Sequence, residues 1–120
     1  PLEQLLALFD RFVALAQNDT PVRAYFVLFG AMIANRLETR AVFDEVQRRF
    51  GDRLEALILA AQRAGSVPAT LFPAHAAFMV GCLLAGISIE TAIESSTAEP
   101  LDPAAMRRDL TAMLRRALAV

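Results

Sequence analysis

Apolar side chains recur every three to four residues along most of this chain, which predicts helices and gives no strand pattern. A first amphipathic helix is predicted over 2–17. The run Asn18, Asp19, Thr20 and Pro21 then breaks the pattern. Thr20 is the expected N-cap and Pro21 the expected first residue of a second helix, because proline at that position loses no hydrogen bond.

The second predicted helix covers 21–38 and is apolar on all sides between 24 and 34. A helix with no polar face is buried on every side, so this segment is expected to be the central helix. The third helix is predicted over 39–65, with one apolar stripe and a kink at Gly51. Gly65 followed by Pro68 is the expected stop.

A fourth helix is predicted over 73–95 and a fifth from Asp102 and Pro103 to the C-terminus. The fourth carries two faces that both require burial. One face is mostly small and holds Ala77, Gly81, Leu84, Ala85, Ser88 and Ala92. The opposite face is mostly bulky and holds Met79, Cys82, Leu83, Gly86, Ile87 and Ile93.

Five helices in 120 residues can hardly cover both faces, so a second copy of the chain is expected to cover one of them. We predict that the small face meets the partner, with Gly81→Arg as the most damaging change, although the pattern leaves the choice of face open. The predicted dimer interface comprises Ala77, Gly81, Leu84, Ala85, Ser88, Met106, Leu110, Met113, Leu114 and Ala117.

Composition narrows the function. The chain is one domain, 1–120, with 56% hydrophobic residues and a net charge of −1, which does not suit a nucleic-acid surface. One cysteine excludes an internal disulfide and fits a reducing, cytoplasmic compartment. The longest apolar run, 76–89, spans about 21 Å as a helix, short of the ~30 Å membrane core, so no membrane partner is expected.

Candidate chemistry is sparse. No metal-ligand cluster, nucleophile motif or phosphate loop occurs, so we predict no enzyme, no metal and no cofactor. His75, the single histidine, is expected at the surface near a helix start, with a ligand-facing role as the alternative. Cys82 is expected to be a small buried hydrophobe, with a reactive thiol as the alternative.

Large adaptable side chains concentrate on the second to fourth helices, and either ordinary core packing or an apolar ligand cavity explains them. In the second interpretation the hydroxyl of Tyr25 is a polar contact for the ligand. The predicted pocket wall comprises Tyr25, Phe29, Met32, Phe50, Phe78, Met79 and Cys82.

From Thr20 onward the chain resembles the C-terminal domain of TetR-type transcriptional repressors. The resemblance rests on the order and length of four segments, VRAYFVLF at 22–29, LILAAQRAG at 57–65, PAHAAFMVGCLLAGI at 73–87, and LDP with MRRDL at 101–110. Phe72 stands where the family often has an aspartate.

The resemblance implies an all-α, five-helix bundle whose last two helices form a four-helix bundle with a second copy. It also implies a small apolar or amphipathic effector among the earlier helices, and DNA contact only through an N-terminal helix-turn-helix module absent from 1–120. We therefore expect either a fragment or a stand-alone sensor domain, with a solid-core interaction module and a small helical enzyme as the rivals.

Overall fold

A computed structural model describes residues 1–35, 40–92 and 102–120, and the described chain is built from helices without strands. The predicted all-α class is confirmed. The helices are α1 (Leu2–Asn18), α2 (Thr20–Asn35), α3 (Arg40–Arg63), α4 (Pro73–Ala92) and α5 (Pro103–Leu118). The segment 93–101, between α4 and α5, lies outside the described residues.

The start of α2 differs from the prediction by one residue. The backbone N–H of Val22 donates to the Asp19 carboxylate at 3.0 Å, so Asp19 rather than Thr20 supplies the cap. An aspartate oxygen reaches an N–H three residues on as readily as a threonine hydroxyl does. Thr20 itself lies inside α2.

Gly65 ends α3 as predicted, in the left-handed region with φ of 78°. The N–H of Ser66 donates to the carbonyl of Ala61 and that of Gly65 to Gln62, both at 3.0 Å, which is a Schellman motif. The Gln62 amide then donates to the carbonyl of Leu71, which holds the turn toward α4. α3 runs through Gly51 without interruption.

α1, and not α2, is the central helix. α1 packs against each of the other four helices, and its Leu5, Phe9 and Val13 are among the largest fully buried side chains. On α2, Phe26 is buried, but Val27 and Leu28 are exposed. In a five-helix domain one helix can be surrounded by the other four. The continuous apolar run of α2 does not show that α2 is that helix.

The molecule is a slab of 39 × 37 × 19 Å. The short dimension fits two helix layers, since packed helix axes lie about 8–10 Å apart. In two layers each helix is covered from one side, and this is visible on α4. Its inner face packs on α1, α2 and α3 and consists of Ala76, Ala77, Val80, Leu84 and Ser88.

α5 begins as predicted, with the Asp102 carboxylate accepting from the N–H of Ala104 and with Pro103 in the first turn. α5 packs against α1 through the buried Leu114 and Leu118. The N–H of Val120 donates to the carbonyl of Ser66 at 3.1 Å, which ties the end of the chain to the turn after α3.

Candidate docking face and effector region

The outside of α4 is an uncovered, largely apolar surface. Seven residues on it are exposed and fall within about 140° of the helix circumference at 100° per residue. We call them the outer face, and they are His75, Phe78, Met79, Cys82, Leu83, Gly86 and Glu90. Phe78 is 72% exposed and Met79 is 58% exposed, so two large apolar side chains stand in solvent in the single chain.

The two ends of the outer face are polar. His75 lies in the first turn of α4, exposed as predicted, with the Phe72 ring packed edge-on at 4.7 Å between centroids. Glu90 is exposed on the last full turn. The face is therefore an apolar strip between an imidazole and a carboxylate, a layout that the sequence analysis did not single out although helical spacing alone would have shown it.

Most of the predicted interface on the small face of α4 lies inside the single chain. Ala77, Leu84 and Ser88 are buried within the chain itself, and a Cβ placed on Gly81 would lie 3.9 Å from Cδ1 of Leu54. Small side chains let α4 approach its own α3 and α1 closely, and that contact uses the face. Ala85 is half-buried at its edge.

The α5 residues of the predicted interface differ in exposure, because one side of α5 packs against α1. Leu114 is buried in the chain's own core, and Met106 and Leu110 are half-buried. Met113 is 64% exposed, and Ala117 is exposed as well. Only these last two of the five are fully available to a second copy.

The predicted pocket wall also separates into two groups. Phe78, Met79 and Cys82 lie on the outer face of α4 and line no space inside the chain, because α4 turns its other side to the core. Cys82 is thus exposed, which corrects its prediction as a buried residue. The side chain of Met32 lies outside the described residues.

The remaining candidates belong to a cluster of rings where α1, α2 and α3 meet, which we call the aromatic region. Tyr25 stacks on Phe29 with centroids 6.2 Å apart and meets Phe26 edge-on at 5.3 Å. Across the junction, Phe12 of α1 meets Phe50 of α3 edge-on at 4.8 Å.

A hydrogen bond joins two helices in the aromatic region. The amide Nε2 of Gln47 on α3 donates to the hydroxyl of Tyr25 on α2 at 3.3 Å, and both side chains are half-buried. Gln47 and Phe50 are one turn apart on α3, so the polar pair and the Phe12–Phe50 pair lie side by side. The sequence analysis singled out the Tyr25 hydroxyl but missed Gln47, since a glutamine on an amphipathic helix carries no distinguishing pattern.

An open groove of about 470 Å³ separates α1 from α5. Arg115 donates through Nη1 and Nη2 to the two carboxylate oxygens of Glu3, and Arg107 lies 3.8 Å from Asp10. The hydrogen bonds from Arg115 hold the pKa of Glu3 below its usual range. These ion pairs fasten α5 to α1, and Arg108 also lines the groove.

The described residues contain no metal site and give only weak evidence of membrane insertion. Among them no group of three or more histidine, cysteine or acidic side chains could hold a metal ion. The segment 73–91 is long and apolar enough to span a membrane, with a mean hydropathy of 1.5. That criterion is weak for a single helix, because core helices of soluble proteins also meet it.

A scan of protein families matches residues 1–119 to the model of the BetI-type transcriptional repressor C-terminal domain. The chain belongs to this family. It is therefore a C-terminal regulatory domain of the TetR type, as the resemblance from Thr20 onward predicted, and the match extends that resemblance to α1. Comparison with curated proteins and with solved structures finds no match.

Family membership identifies a transcriptional regulator domain, and regulators of the TetR family act as DNA-binding dimers with effector ligands. For a BetI-type domain, the outer face of α4 and the aromatic region are the two features that need a functional explanation.

Proposed function

We propose that this domain joins two copies of a transcriptional repressor through the outer face of α4 and the exposed side of α5, and that it binds a small apolar or amphipathic effector in the aromatic region. The observation that carries the proposal is the outer face, which leaves Phe78 and Met79 in solvent on a helix whose other side is fully used. A second copy is the simplest cover, since a two-fold interface needs only one self-complementary patch.

α5 extends the interface. A stable interface buries about 1,200 Å² or more in total, more than a narrow strip on one helix supplies. Met113 and Val120 of the α5 end are exposed, and the hydrogen bond from Val120 to Ser66 keeps that end beside the turn that leads into α4. The half-buried Met106 and Leu110 are expected at the edge of the contact.

The dimer is tested by Phe78→Arg, compared with Leu28→Arg as the matched control. Both parent side chains are large, apolar and exposed, Phe78 by 72% and Leu28 by 60%, and they lie on different helices. Light scattering should give twice the chain mass of 13.1 kDa for the parent and for Leu28→Arg, and the single mass for Phe78→Arg. A monomeric parent at tens of micromolar, or dimerisation unchanged by Phe78→Arg, would contradict the proposal.

The effector part rests on the aromatic region, where ring-to-ring contacts accompany the hydrogen bond between Gln47 and Tyr25. Such a mixture of apolar wall and few polar groups is typical of small-molecule sites. An effector that inserts between α1, α2 and α3 would change how these helices pack. The population would then shift between dimer geometries that do and do not fit DNA, with the shift set by the difference in effector affinity.

The effector site is tested with the amphipathic dye anilinonaphthalene sulfonate as a probe. Tyr25→Ala should weaken saturable dye binding severalfold, because it removes a ring and the partner of Gln47, while Phe78→Arg should leave the dye affinity unchanged. Loss of dye binding in Phe78→Arg alone would place the dye on the outer face of α4. No saturable binding at all would favour the rival of a solid-core dimerisation module.

DNA contact is assigned to a helix-turn-helix module outside 1–120. The net charge of −1 does not favour duplex binding, because contacts to phosphates dominate duplex affinity. The domain alone should show no binding to duplex DNA at micromolar concentration. Salt-sensitive binding in a fluorescence anisotropy titration would refute this assignment.

A further inference from the structure

The outer face of α4 contains enough detail to fix how two copies would align, and this inference rests on the proposed dimer. Two-fold axes allow two arrangements of a helix against its copy. A parallel pair would place each residue on itself, with Phe78 on Phe78, His75 on His75 and Glu90 on Glu90. That arrangement sets Phe78 against Phe78 and the carboxylate of Glu90 against its like-charged copy, so the antiparallel arrangement is favoured.

In an antiparallel pair of helices, the position of the two-fold axis along α4 determines which residue of one copy faces which residue of the other. The two polar ends supply one condition: His75 of each copy meets Glu90 of the other only if the axis passes between Cys82 and Leu83. An imidazole N–H donates well to a carboxylate, and the pair would close both ends of the apolar strip.

The shape of the strip supplies a second, independent condition. Gly86 is the gap in the outer face, and a Cβ built there meets nothing within 4 Å in the single chain. Met79 is a long, adaptable side chain that is 58% exposed. Met79 of one copy fits over Gly86 of the other when the axis passes between Cys82 and Leu83, the same position that the charges require.

We propose that two copies dock their outer faces antiparallel about a two-fold axis between Cys82 and Leu83, with His75 of each copy against Glu90 of the other and Met79 over Gly86. In this register the two Cys82 residues lie next to the axis. With helix axes about 8–10 Å apart, their Cα atoms come within the ~7 Å that a disulfide allows.

Cross-linking at Cys82 tests the register directly, because Cys82 is the single cysteine of the chain. Brief oxidation with copper(II)–phenanthroline forms the disulfide between the two thiols: two copper(II) complexes each accept one electron, and the two thiol protons pass to the buffer. Most of the dimer should become a covalent dimer. The control is Cys82→Ser/Val27→Cys, which moves the thiol to an exposed position on α2 and reports random collisions. A dimer by light scattering that cross-links no faster than this control overturns the register and leaves the dimer itself standing.

Substitutions test the charge and shape conditions separately. Glu90→Arg should raise the dimer dissociation constant at least fivefold, and His75→Glu/Glu90→Arg should restore it, since the exchanged charges meet again only in this register. Gly86→Leu should raise it at least tenfold, whereas the control Gly51→Leu, at another helical glycine with free space around its Cβ, should not. No rescue by the exchange and equal effects of the two glycine variants would overturn the proposal. A parent chain that is monomeric would instead overturn the proposed dimer.

Discussion

Single side chains in this domain show how burial separates from function. Among the described residues, Ser88 is the one buried polar residue, with 0% exposure. Its hydroxyl has no hydrogen-bond partner in the part of the chain that the structure describes. A buried hydroxyl that makes no bond costs the free energy of its desolvation. By contrast, Phe78 and Met79 remain 72% and 58% exposed, so the fold of the single chain buries only part of their apolar surface.

Ser88→Ala is expected to stabilise the domain by about 1 kcal/mol, because it removes an unsatisfied hydroxyl and improves helix propensity. Chemical denaturation at a fixed protein concentration measures the change. The matched control is Thr91→Ala, where the hydroxyl donates to the carbonyl of Ile87 at 2.7 Å and its removal should bring no comparable gain. Loss of stability in Ser88→Ala would mean that the hydroxyl has a partner in solution.

At the scale of elements, α5 is the helix with the fewest neighbours. It packs chiefly on α1, through Leu114 and Leu118, and through the ion pair of Glu3 with Arg115. The pKa of Glu3 is lowered from 4.5 mainly by its hydrogen bonds to Arg115. Because the folded state holds this carboxylate charged, the pair stabilises the docking of α5 above the ordinary pKa, and the contribution disappears as the pH falls through the folded pKa.

Glu3→Gln should therefore lower the melting temperature slightly near neutral pH and have no effect in strong acid. The pair is solvent-exposed, so the effect at neutral pH is small and decreases with added salt. Thermal unfolding followed by circular dichroism across a pH series checks this expectation. A melting-temperature difference between parent and variant that is the same at all pH values would contradict a stabilising ion pair between Glu3 and Arg115.

The thickness of the whole molecule limits how much of α4 its own helices can cover. Among the described residues, a slab 19 Å thick gives α4 helix neighbours on one side only. The small face of α4 is therefore used largely within the chain, and the proposed interface is placed on the outer face. Gly81→Arg is accordingly expected to damage folding through Leu54, rather than to separate two intact copies.

If the outer face joins two copies, stability depends on protein concentration. The melting temperature of the parent should rise by a few degrees for each tenfold increase in concentration, because unfolding then includes dissociation. Phe78→Arg should melt at a lower temperature that does not change with concentration. Differential scanning calorimetry over two decades of concentration makes the comparison, and a concentration-independent parent would argue for a stable monomer.

The fold class, the family resemblance and most of the described helix ends could be predicted from the sequence. These are local properties: apolar periodicity, the glycine at position 65, and the aspartate and proline at 102 and 103 act within one or two turns, so their effect can be predicted from neighbouring residues. The N-cap of α2 is Asp19 and not the predicted Thr20. Both residue types cap helices well, and only the backbone geometry shows which of two neighbouring residues is the cap.

Which apolar face of α4 lies inside the domain depends on tertiary packing. The faces of α4 are both hydrophobic, so periodicity cannot rank them, and the ranking came from close packing of Ala77, Gly81 and Ser88 on neighbouring helices. The same reason moved Cys82 and Phe78 from a predicted pocket to the surface, and made α1 rather than α2 the central helix. The pairing of Tyr25 with Gln47, 22 positions apart, exists only because the fold brings two helices together.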